Sequence, residues 1–204
     1  MNAFIEKPRA RRQAKEETRA RILDAARAQL ESVGFEATSI RGVAQAAGVA
    51  AGTVLLHFPD KRDLLHAALF DDLARTWAEA KARTGKRAFR KDLSAIVQAL
   101  FDYYGRRPAL SRTLLRESLF AEPPWSARFA QQVGDVGAHV VALAERAKER
   151  GELARGIDAE LLSASFLSFY YFALLAWLQG GHPDPQRMFE RMLDQHLAGG
   201  GRAR

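Results

Sequence analysis

Residues 161–183, LLSASFLSFYYFALLAWLQGGHP, contain no Asp, Glu, Lys or Arg. Helical periodicity runs through Trp177 and Leu178 with apolar side chains on every face. A helix of that kind must be buried on several sides or lie in lipid. Three serines, a Gly-Gly-His-Pro ending and the lack of a second such segment argue against a membrane span. In a chain of 204 residues one face of the helix serves its own core, and the other needs a partner. A ninth, amphipathic helix follows, carrying Met188, Phe189, Met192 and Leu193. The two together predict a homodimer in which each subunit gives helices eight and nine to a four-helix interface.

The rest of the chain reads as helix as well, and no stretch alternates as a strand does. Ile22, Ala26, Leu30 and Val33 mark a first helix that Gly34 stops. Ser39 caps a second, with Val43, Ala44 and Ala47 inward. Gly48 makes a turn, and Val49 to Phe58 form a third. Pro59 breaks the chain, Asp60 caps, and a long fourth helix runs from the Leu64-Leu65 pair past Trp77 to about Arg83. Gly105 ends a fifth and Pro108 opens a sixth, through about Phe120. A seventh spans Trp125 to Arg150. Asp158 caps the eighth with Ile157 and Leu162 as a staple, Asp184 and Pro185 start the ninth, and AGGGRAR forms a frayed tail. The expected fold is all-α, with about nine helices: a basic arm over 1–15, a small three-helix domain over 16–76 with a helix-turn-helix at about 39–58, and a larger helical domain over 77–204.

Charge supports that division. The net charge is +7, and residues 1–62 hold 11 Lys/Arg against 7 Asp/Glu, while the other 142 hold 20 against 17. A basic front end before a small helical domain suits a polyanion. No cysteine occurs, which excludes disulfides and thiolate metal sites and agrees with a reducing compartment. The N-terminus shows no secretory apolar run, so a cytoplasmic protein without membrane attachment is expected. His57, His66, His139, His182 and His196 are scattered, and no P-loop, GxSxG or GxGxxG appears. No metal, cofactor or catalytic residue is therefore expected.

The stretch ILDAARAQLESVGFEATSIRGVAQAAGVAAGTVLLHFPDKRDLL couples three short helices, a fixed turn and the capped start of a fourth. It resembles the tetracycline-repressor (TetR) family of bacterial transcription regulators. The resemblance implies a homodimer on a near-palindromic operator of double-stranded DNA, and a small-molecule pocket whose occupation alters the spacing of the two DNA-binding heads. Arg41 sits where a member's arginine can reach a guanine. The chain departs from the family pattern in having Ala50 in place of a capping Ser, Leu55 in place of a phosphate-contacting Tyr, and Leu56 where a polar or aromatic residue is common.

A helix in the major groove, about 12 Å wide, reads bases by hydrogen bonds and methyl contacts. Ala51 and Gly52 permit close approach of backbone amides to phosphate. Ser39, Thr53, His57 and Lys61 are placed for phosphate, and Arg9, Arg11, Arg12 and Lys15 form the arm. Reading then falls to Arg41, Thr53, DNA shape and the arm. Leu55 and Leu56 mark either methyl contacts or the loss of a bond to phosphate. In the C-terminal part Trp77, Phe101, Tyr104, Phe120, Phe129, Phe166 and Tyr170 offer an aromatic lining for a small, apolar or aromatic effector. The same spacing also suits plain core. Two other classes remain: a TetR-like fold acting through a protein partner or on non-promoter DNA, and a helical enzyme.

Overall fold

The computed structural model describes residues 3–119 and 121–200, with side-chain surroundings from Ala10 onward. Among them there are nine helices and no strand: α1 (Ala3–Ala37), α2 (Ile40–Ala47), α3 (Ala51–His57), α4 (Lys61–Ala82), α5 (Phe89–Arg106), α6 (Pro108–Leu119), α7 (Trp125–Glu149), α8 (Ala159–Leu178) and α9 (Pro185–Gly200). They form two compact units, residues 1–72 and 73–204, and the division falls inside α4.

The first unit is punctuated where the sequence supplies the chemistry. Gly34 has φ 77°, so α1 breaks there and continues to Ala37 on a new course. Ser39 accepts the Gly42 N–H and caps α2; Gly48, at φ 65°, turns the chain by giving its N–H to the carbonyls of Ala44 and Gln45. Both glycines occupy the left-handed half of backbone space, where a Cβ is costly. The Asp60 carboxylate accepts the Asp63 N–H at 2.7 Å and caps α4. Ile22, Ala26, Val43, Val54 and Phe58 form the core. An ion pair of Arg27 with Asp72 at 2.8 Å, largely shielded from solvent, and one of Arg19 with Asp71 at 2.7 Å join α1 to the first half of α4.

Two ends differ from expectation. The basic arm is a continuation of α1, helical from Ala3 and exposed from Ala10 to Glu17. Its Ala, Arg, Gln, Lys and Glu are strong helix formers, so a fully solvated helix satisfies them. At the other end α9 extends through Ala198 and Gly199 to Gly200, into the segment expected to fray.

In the second unit α8 packs on α7 and α9, and α5 packs on α6, α7 and α9. Asp158 accepts the N–H groups of Glu160 and Leu161 and caps α8. By length and composition α8 could cross a membrane. Leu162, Phe166, Tyr170 and Leu174, one turn apart, are instead buried inside the unit. Its serines are satisfied at home: Ser163 donates to the Gly137 carbonyl at 3.0 Å, Ser165 to that of Leu161 and Ser168 to that of Ala164. The opposite side, with Leu161, Ala164, Ser168 and Phe172, is exposed. Leu161 is 62% and Phe172 55% accessible.

Candidate functional site

The first unit presents α3 on a small scaffold. Val54, buried completely, and Phe58 anchor it. Ala50 is its N-cap and makes no side-chain capping bond, so helix and turn rest on packing and on the Gly48 reversal. Ala50, Gly52, Leu55 and Leu56 are exposed, and Ala51, Thr53 and His57 half-buried. Leu56, at 85%, is the most exposed large hydrophobic residue described.

Around α3 stand the cationic and polar candidates. Arg41 is exposed at the second position of α2. Ser39 is exposed too, but its oxygen is engaged by the Gly42 N–H at 3.1 Å, which leaves the hydroxyl proton for an external acceptor. Lys61 donates to the Glu36 carbonyl at 3.0 Å and lies 4.3 Å from the centre of the Phe35 ring, with two ammonium protons to spare. Arg12 pairs with Glu16 at 3.2 Å on an exposed face, and Arg11 lies on the same solvated turn. The side chain of Arg9 lies outside the described residues. The pKa of His57 is lowered by burial first and then by the positive charges of Lys15 and Arg19. A neutral imidazole at pH 7 offers one N–H donor to a phosphate. Arg19 is a residue that the sequence pattern did not single out: its guanidinium lies 5.5 Å from the centre of the Phe58 ring and adds to this positive edge.

In the second unit Trp77, Tyr104, Phe129 and Tyr170 meet around a cavity of about 30 Å³. Leu73, Leu100, Gln132, Val133, Val136, Leu167 and Tyr171 complete its wall. The Tyr104 and Tyr170 hydroxyls hydrogen-bond to each other. Burial raises the pKa of both, and raises that of Tyr171 to about 12, so all three phenols are neutral at pH 7. The cavity is thus apolar with a small polar anchor, and far smaller than the roughly 300–1,000 Å³ of an occupied ligand site.

Two members of the aromatic set lie elsewhere. Phe166 is fully buried and meets Phe189 edge-on at 5.3 Å, so it is core between α8 and α9. Phe101 stacks on Tyr170 at 5.6 Å but faces a different, open cleft of about 630 Å³ with Trp177, Arg106 and Asp184. Phe120 lies outside the described residues. No cluster of three or more His, Cys, Asp or Glu able to hold a metal occurs among the described residues.

Behind the cavity Trp77 meets His139 edge-on at 5.5 Å, and His139 Nε2 lies 2.7 Å from the Thr84 hydroxyl. Burial lowers the His139 pKa, Lys81 and Arg146 lower it further, and Asp92 opposes them. The unfolded chain therefore binds this proton at higher pH than the folded one. The contribution of the neutral ring is complete above the ordinary value of 6.5 and shrinks as pH falls from there towards the lowered folded value. Between pH 7.5 and 5.5 the urea midpoint of the wild type is expected to fall more than that of His139→Gln, which carries a polar side chain that does not titrate. Parallel midpoints would contradict the assignment.

Residues 22–68 match the model of the family described as bacterial regulatory proteins, tetR family. The chain is 32% identical over 166 residues to the HTH-type transcriptional repressor KstR of Rhodococcus jostii (strain RHA1), covering 81% of this chain and 74% of that protein. A TetR transcription regulator from Haloarcula marismortui shares the fold with a TM-score of 0.76 at 20% identity, over 90% of this chain and 98% of its own. The transcriptional regulator FadR of Bacillus subtilis, solved in complex with stearoyl-CoA, shares it with a TM-score of 0.72 at 17% identity, over 88% and 98%.

Proposed function

The chain belongs to the tetR family of bacterial regulatory proteins, and from that premise we propose that it is a ligand-responsive transcriptional repressor acting as a homodimer on a near-palindromic operator. Two observations carry this reading: a solvated, cation-flanked α3 in the first unit, and a small aromatic cavity with two hydrogen-bonded phenols in the second. The first is suited to a DNA groove and the second to a small molecule. α4 contributes residues to both units, and Leu73 and Trp77 on it line the cavity. The domain reading is an arm over 1–15, a DNA-binding domain over 16–76 and an effector domain over 77–204.

The contacts follow from the placement. Arg41 reads a guanine edge. Ser39, Thr53, His57 and Lys61 hold phosphates beside it. Arg11 and Arg12 track the backbone from the first turns of α1. The effector is small and mostly apolar or aromatic, with one polar atom for Tyr104 or Tyr170. Its site is formed by Trp77, Tyr104, Phe129 and Tyr170. Dimerisation uses the exposed face of α8 with α9. The protein acts in the cytoplasm, where its DNA lies, and it turns over no substrate.

An effector shifts DNA affinity only through unequal affinity for the two head spacings. Compounds that quench tryptophan fluorescence in the wild type but not in Trp77→Phe, with stearate among the probes, identify binders at this cavity. A binder is expected to weaken operator binding by about 5- to 150-fold, and operator to weaken its binding by the same factor. Cavity binding with no mutual effect on operator affinity would contradict the regulatory half of this reading.

A further inference from the structure

The exposed side of α3 is chemically narrow. Ala50, Ala51, Gly52, Thr53, Leu55 and Leu56 carry no charge and no amide. The only hydrogen-bonding side chains along the helix are Thr53 and His57. Base edges in the major groove offer donors, acceptors and one apolar group, the C5 methyl of thymine. A helix with these side chains has little to say to the donors and acceptors. The methyl is what it can recognise.

Two independent features point the same way. Leu56 leaves an isobutyl group 85% in water while Val54 and Phe58 of the same segment carry the unit's packing. Gly52, one turn earlier on the same face, is helical, and a Cβ built there meets nothing within 4 Å. The unit's own packing therefore does not require a glycine at that position. In a helix a glycine costs stability relative to alanine. Its missing side chain serves close approach from outside, and it leaves the ledge beside Leu56 open to a neighbouring base pair.

Resting on the DNA-binding reading above, we infer that α3 recognises thymine through its methyl group, with Leu56 covering the methyl and Gly52 admitting the base edge. Leu55, at 48%, is also exposed on this helix and offers no hydrogen-bonding group. Arg41 keeps its guanine, so each half-site combines one charged contact on α2 with an apolar one on α3.

The experiment uses the duplex that the full-length protein retains from random DNA. Thymines of its half-sites are replaced one at a time by deoxyuridine, which keeps the pairing edge and lacks the methyl. Affinity is measured at one fixed salt concentration. At one thymine per half-site the replacement is expected to weaken binding about fourfold for each buried methyl removed. Leu56→Ala should bind the thymine and deoxyuridine duplexes alike. Gly52→Ala should raise the melting temperature and yet weaken operator binding about tenfold or more. Equal affinity of the wild type for both duplexes at every position would overturn this inference alone. So would a deoxyuridine penalty that survives Leu56→Ala, since another group would then read the methyl. Failure to retain any duplex would overturn the DNA-binding reading and this inference with it.

Discussion

Phe172→Glu is expected to convert the protein from dimer to monomer. The side chain is more than half exposed on α8, outside the unit's own core, and it lines up with Leu161, Ala164 and Ser168. A two-fold contact brings this face against its own copy, so each substitution enters the interface twice. A charge buried without a partner costs several kcal/mol, which corresponds to a dissociation constant raised about 100-fold or more. The subunit itself should keep its helicity and melting behaviour at low concentration, because Leu162, Phe166 and Tyr170 on the inner face are untouched. Phe172→Leu should remain dimeric. Sedimentation equilibrium of the three proteins checks this. A monomeric wild type, or a glutamate variant as dimeric as its parent, would contradict the α8–α9 interface.

The second large effect is expected from removing residues 1–12. This segment holds Lys7, Arg9, Arg11 and Arg12. The pairing of Arg12 with Glu16 on an open face is weak and exchanges readily for phosphate. Each phosphate that the protein no longer neutralises makes the negative slope of log affinity against log salt shallower by about 0.9. Releasing a pair of phosphates therefore flattens the slope by about 2 and weakens binding to operator and random DNA together, most strongly at low salt. Arg41→Ala should behave differently, costing about 1–3 kcal/mol at one base pair of each half-site and relaxing the preference there. Titrations of both variants on operator and random duplexes over a range of salt separate the two roles. Equal weakening by Arg41→Ala on both DNAs would make that arginine a positioning residue.

Much of this organisation was legible because local chemistry sets it. Ser39, Gly48, Asp60 and Asp158 cap or turn their helices by bonds to neighbours a few residues away. That one side of α8 serves the core was legible because a charge-free, apolar helix has no fully solvated course open to it. What escaped depends on distant partners. Phe166 and Tyr170 share one spacing on α8, and only the arrival of Phe189 from α9 makes the first core while the second borders the cavity. The helical course of the arm was hidden for another reason: a polar, charged run reads equally as a solvated strand of chain or a solvated helix. The Trp77–His139–Thr84 cluster joins residues far apart in the chain and leaves no local trace.

This chain is expected to recognise a specific duplex as a two-fold dimer. Fragmented genomic DNA passed over the purified full-length protein, with the retained pieces sequenced, tests it most directly. Enrichment of one near-palindromic sequence whose half-sites lie an integral number of helical turns apart is the expected result. Retained fragments that share no common sequence would contradict it.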